Sequence, residues 1–144
     1  MTRIESPCLG VCSTTQGDDI CRGCKRNSDE ILRWGAMTSE QRQNIMRRTE
    51  WLSVDIVQEY FQLIDKDQLE QQLIKHRIRY TKHFDPLCWV IDLLRAGAGR
   101  IQQIEAYGLA FKDPMHNELQ LEQLYRTINK QIIENTDRLI RERH

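Results

Sequence analysis

The residues with the clearest chemistry are Cys8, Cys12, Cys21 and Cys24, spaced C-x3-C-x8-C-x2-C. Thiolates are soft anionic ligands, and two close pairs joined by a short loop each supply adjacent corners of a tetrahedral metal site. Gly10 and Gly23 lie inside the pairs, where the chain must turn tightly and expose N–H groups to sulfur. Arg22, Lys25 and Arg26 surround the set. They would offset the net charge of about −2 that four thiolates leave around a divalent ion. Such a short, glycine-punctuated loop has little core of its own, so unliganded buried thiols are the poorer reading. Zinc satisfies this ligand set directly, and an iron–sulfur cluster also takes four cysteines. Neither the bacterial ferredoxin run C-x2-C-x2-C-x3-C-P nor the plant-type spacing occurs, so spacing by itself leans to zinc.

A longer pattern surrounds the cysteines. Ser6-Pro7-Cys8, Gly10, Cys12, Cys21-Arg22-Gly23-Cys24, Arg26, Glu30-Ile31, Trp34, Met37 and Arg42 together resemble a small bacterial family, domain of unknown function 1289. The resemblance covers roughly the first 50 residues. It implies a four-cysteine metal module followed by two short helices. The family's usual label, predicted iron–sulfur protein, implies a cluster as readily as zinc. It implies no activity and no substrate.

The chain has 144 residues, with 21 Lys plus Arg balanced by 21 Asp plus Glu, so no global field draws it to nucleic acid or membrane. The start "MTRIESPC" lacks the apolar core of a secretory signal. "LCWVIDLL" is too short to span a bilayer and carries Asp92. The expectation is a cytoplasmic protein with no membrane partner. In that reducing compartment, closely spaced cysteines are metal ligands rather than disulfides.

The elements that must position the cysteines read as helices. The first 27 residues are loop-like. Asn27 with Glu30, and Thr38 with Gln41, are capping-box pairs that start two helices. Val54, Val57, Phe61 and Ile64 keep helical spacing, so 53–64 is expected to be helical too. Asp67 with Glu70 offers a cap for a helix running to about residue 84. Asp85-Pro86 and Asp113-Pro114 each match a helix start, with Asp as the cap and Pro at the first position. The last helix, from about 114, carries Leu121, Tyr125, Ile128, Ile132 and Leu139 on one stripe. "AGAG" at 96–99 implies a helix break or a close neighbouring backbone. No alternating strand pattern of useful length appears. The fold class expected is all-α: a four-cysteine metal-binding loop followed by a multi-helix antiparallel bundle. The division expected is a metal module at 1–50 and a helical body at 51–144.

Other candidates are weaker. Cys88 reads as a buried cysteine at a helix start beside Trp89. Trp34, Trp51 and Trp89 read as core. His76, His83, His116 and His144 read as surface or cap residues, because no Glu-x-x-His and no His-Glu-x-x-His occurs. "RAGAGR" lacks the lysine of a phosphate loop. Charge is segregated locally. Residues 55–70 hold Asp55, Glu59, Asp65, Asp67 and Glu70 against Lys66 alone, whereas 71–83 hold Lys75, Arg77, Arg79 and Lys82 with no acid. Lys75, Arg79 and Lys82 would share one helical face. With the basic segment 21–48 they form a candidate surface for nucleic acid or another partner, or else a solvated face paired with the acidic helix.

Two functions follow. In the first, the metal loop fixes the N-terminal fold and the helical body binds a partner, most readily a protein. In the second, an iron–sulfur cluster moves electrons, or senses redox state, for an unidentified enzyme. An enzyme in its own right has less support, since no nucleophile–base pair, carboxylate constellation or cofactor fingerprint is present.

Overall fold

The computed structural model describes residues 25–113 and 120–142. The four-cysteine loop, and the helix start expected at Pro114, therefore lie outside the described residues. Two compact units make up the chain. One comprises residues 1–52 and 131–144, the other 53–130.

In the first unit, α1 (Ser28–Arg33) starts where its capping box places it. Asn27 Oδ1 accepts from the Glu30 N–H at 2.7 Å, and Glu30 Oε1 accepts from the Asn27 N–H at 2.8 Å. A 3-10 turn, Trp34–Ala36, follows. Then comes α2 (Ser39–Val57), begun by the Thr38 and Gln41 pair, whose reciprocal bonds measure 2.9 and 3.1 Å. Trp34 and Leu52 are buried, as is Ile132 on α5 (Leu121–Glu142).

The second unit contains a correction to the all-α expectation. The helix begun at Ser39 stops at Val57, and Phe61–Leu63 forms a strand, β1, instead of continuing a helical stripe to Ile64. It pairs antiparallel with β2 (Leu109–Phe111), in the register Phe61 with Phe111, Gln62 with Ala110 and Leu63 with Leu109. The Phe61 and Phe111 rings stack at 5.4 Å. Gly108, at φ +72°, turns the chain into β2, and its carbonyl accepts from Ile64 and Asp65 N–H at 2.8 and 3.0 Å. Three-residue strands are too short for period-two alternation to be visible, and what creates them is a partner far along the chain.

Asp65, not Asp67, caps α3 (Lys66–Lys75), accepting from Gln68 N–H at 3.1 Å. This helix ends well before residue 84. The N–H of Arg77 donates to Ile74 O at 3.1 Å and that of Ile78 to Leu73 O at 2.9 Å, with Arg77 at φ +55°. That is a Schellman stop with arginine where glycine is usual. The sequence therefore carries no visible punctuation there.

Asp85 caps α4 (Pro86–Gly97) with Pro86 at its first position, as expected, and Cys88 through Leu94 are buried without a break. A helix buried over seven consecutive residues is a core element, and Asp92, the charged member of that run, is paired with Arg95 at 2.8 Å. The helix ends at Gly97, and a 3-10 turn, Ala98–Arg100, follows, so "AGAG" marks a helix break. On α5 the buried positions are Leu124, Ile128, Asn129, Ile132 and Thr136. The expected stripe members Leu121, Tyr125 and Leu139 are partly exposed.

Tyr80 links the segment after α3 to this core. Its ring meets Trp89 edge-on at 5.1 Å and its hydroxyl donates to Glu70 Oε2 at 2.8 Å. Burial, and then the hydrogen bond to and charge of Glu70, push the Tyr80 phenol from 10.0 up to about 12. The folded state thus favours the neutral phenol. Its stabilising contribution is complete below about pH 10 and is lost as pH rises through about 12. Melting temperatures across that window are expected to fall more steeply for the natural chain than for Tyr80→Phe. Parallel curves would show that the phenol is not protected.

Candidate metal centre

Cys8, Cys12, Cys21 and Cys24 lie outside the described residues, but the residues that follow Cys24 directly are described. Lys25 and Arg26 are both buried, which is unusual for cations, and Lys25 sits in the left-handed region at φ +62°. The Arg26 guanidinium carbon lies 4.9 Å from the centroid of the Trp34 ring, and that of Arg42 lies 5.9 Å from it. Arg42 also donates from Nε to Trp34 O at 2.8 Å and from Nη2 to Gly35 O at 3.2 Å. Trp34 is thus fixed by two arginines and by its own turn.

Arg48, from α2, clamps the start of this platform. Its Nη1 and Nη2 reach the two Glu30 oxygens at 2.7 and 2.8 Å, and Nη2 also donates to Lys25 O at 3.1 Å. Glu30 therefore does two jobs: it closes the capping box of α1 and takes the guanidinium fork. Two buried donors, Trp34 Nε1 and Arg48 Nε, find no acceptor among the described residues. Buried N–H groups generally have acceptors, and sulfur can serve as one.

The structure separates the other sequence candidates. Lys75 ends α3, whereas Arg79 and Lys82 lie in the irregular segment beyond it, so the three do not share a helical face. The Schellman stop at Arg77 is the reason. All three side chains are exposed. Trp89 and Cys88 are buried as expected, but Trp51 is 62% exposed and is not core. Its position on α2 is turned away from the buried residues Leu52, Ile56 and Val57, a matter of helix phase that composition does not reveal. His76 is the exposed C-cap of α3 and His83 is exposed, while His116 and His144 lie outside the described residues.

Among the described residues, no group of three or more His, Cys, Asp or Glu could hold a metal ion. No helix among them is long and apolar enough to cross a membrane. A cleft of about 840 Å³ in the second unit is lined by Gln102, Gln103, Gln120, Glu105 and Glu122 together with apolar neighbours. Among its described lining residues there is no cysteine, serine, threonine, lysine or histidine. Sequence reasoning placed Arg26 beside the cysteines, Glu30 in a capping box and Trp34 in the core, but gave Arg42 only as part of a pattern and did not pair Arg48 with Glu30; Glu30 with a later arginine was the signal available for the clamp.

Comparison with known proteins places the relationship in this N-terminal region. The uncharacterized protein YdhL of Escherichia coli strain K12 is 36% identical over 44 residues, which is 31% of this chain and 54% of the relative. The uncharacterized YdhL proteins of Shigella flexneri and of Escherichia coli O6:H1 give the same figures. The chain spans about half the length of these curated relatives. No solved structure matches. Residues 6–51 match the family described as protein of unknown function (DUF1289), a segment that includes the four cysteines and Lys25, Arg26, Glu30, Trp34, Arg42 and Arg48.

Proposed function

We propose that Cys8, Cys12, Cys21 and Cys24 hold one metal centre per chain, zinc or an iron–sulfur cluster, and that the chain is a cytoplasmic binding module whose helical body meets a protein partner. The observation that carries the metal reading is the platform directly after Cys24. Buried Lys25 and Arg26, and the buried donors Trp34 Nε1 and Arg48 Nε, suit a neighbour that is anionic and accepts hydrogen bonds. A four-thiolate centre is both, and outer hydrogen bonds to its sulfurs hold ligands in place. The metal would supply the cross-link that so short a loop cannot obtain from a core.

Metal and sulfide content, with the visible spectrum, of protein purified without oxygen tests this. One zinc, or one cluster's iron and sulfide, is expected per chain, and Cys21→Ser is expected to lose it. A chain without stoichiometric metal, or a Cys21→Ser variant that keeps all of it, overturns the proposal. Trp34→Phe keeps the ring between its arginines but removes the N–H, and is expected to speed metal loss to a chelator about tenfold. Iron with sulfide would direct the search to an electron-transfer partner, and zinc to what the helical surface binds.

A further inference from the structure

The stretch Lys75–His83 carries Lys75, Arg77, Arg79 and Lys82 and no acid. All four are exposed, and none takes part in an ion pair among the described residues. The acidic residues that precede them in sequence do not neutralise them. Asp65 caps α3, and Glu70 accepts from Tyr80.

This stretch is held in place through its backbone. Arg95 Nη2 donates to Arg79 O at 3.0 Å, Trp89 Nε1 donates to Thr81 O at 2.8 Å, and the Thr81 N–H donates to Asp92 Oδ2 at 3.3 Å. Asp92 and Arg95 are themselves paired at 2.8 Å. Side chains alternate along it: Ile78 and Tyr80 are partly buried, while Arg77 and Arg79 are exposed. The exposed residues from Lys75 to His83 are all cations or histidines.

Arg77 adds an independent observation. It occupies the left-handed position of the Schellman stop, φ +55°, where glycine sits without strain. A strained residue with an exposed charged side chain points to a use for that side chain.

We infer that Lys75–His83 is a strap that grips the phosphodiester backbone of a nucleic acid. Fixed backbone with outward cations lowers the ordering cost of binding a regularly charged polyanion. The arginine forks suit phosphate oxygens. The strap presents no apolar anchor, which protein-binding surfaces use, and a dense positive charge, which nucleic-acid surfaces use. It touches phosphate alone, so it reads no sequence. The inference is independent of the metal centre.

The test is anisotropy of a labelled single-stranded oligonucleotide, titrated with metal-replete protein over a range of salt. Arg77→Gly relieves the strained position, so its melting temperature is expected to be unchanged or higher while its affinity falls. Misfolding cannot produce that combination. Arg77→Gly with Arg79→Gln is expected to flatten the slope of log K against log salt by about 1 for each arginine–phosphate pair removed. Arg126→Gln with Arg138→Gln, on α5, is expected to leave the slope unchanged. Absence of binding at low salt, a slope that the strap variants do not alter, or equal affinity for poly-glutamate of matched charge overturns the inference. The last outcome would assign the strap to an acidic protein.

Discussion

Replacing Arg48 with methionine is expected to destabilise the chain by about 3–5 kcal/mol, the range for removing one partner of a buried ion pair. The Arg48 and Glu30 side chains are only 11% and 12% exposed. The methionine fills much of the arginine stem but leaves the Glu30 carboxylate without its fork and Lys25 O without the donor at 3.1 Å. Desolvation that the pair shares then falls on Glu30 alone. Glu30→Gln tests the other half. A glutamine oxygen still accepts from Asn27 N–H, so the capping box survives while the charge opposite Arg48 is lost. The double variant is expected to be more stable than the sum of the single losses predicts, because neither charge is then stranded. Denaturant unfolding of the four proteins supplies the cycle. A loss under about 1 kcal/mol for Arg48→Met would mean that water screens the pair as it does at a surface. Because Arg48 also holds the residue next to Cys24, the metal centre proposed above carries the further expectation that this variant releases metal to a chelator faster than the natural chain.

Gly108→Ala is expected to cost about 2–4 kcal/mol, combining the left-handed penalty for a residue with a Cβ and an overpacking term. The backbone there is at φ +72°, and an added Cβ would lie 2.3 Å from Asp65 O and 3.2 Å from its carbonyl carbon. Neither side can yield easily. Asp65 caps α3 through Gln68, and the N–H groups of Ile64 and Asp65 both donate to Gly108 O. Relieving the clash therefore loosens the β1–β2 connection and the start of α3 together. Gly97→Ala is the comparison. Its Cβ would meet Ile78 Cδ1 at 3.8 Å, an ordinary approach, and its expected effect lies between neutral and about 1 kcal/mol stabilising. Thermal melts of both variants check the contrast. Equal melting temperatures would show that the Gly108 backbone shifts at little cost.

The two glycines also show where sequence reasoning stops. "AGAG" drew attention because two glycines in a helical stretch are locally improbable, and the helix does end there. Gly108 gave no local sign, since what makes it necessary is the Asp65 carbonyl brought against it by strand pairing. Trp51 and Trp89 are alike in composition and in helical context, yet one is exposed and the other buried. Burial of a side chain depends on which helix face meets a neighbour, and single-residue hydrophobicity does not specify that.

The sequence by itself determined the starts of α1, α2 and α4, because a cap is closed by groups two or three residues apart. It also determined the thiol side chains and the spacing of Cys8, Cys12, Cys21 and Cys24, which are covalent facts of the chain. The end of α3 escaped it because arginine occupies a turn position that glycine usually marks. Only the tertiary structure decided that Phe61–Leu63 is a strand, that Glu30 serves a cap and an ion pair at once, and that Arg77, Arg79 and Lys82 lie in a backbone-anchored segment beyond α3 instead of on a helix face. Each of these depends on partners distant in the chain, and the meeting of such groups is set by the packing of the whole unit, not by local periodicity.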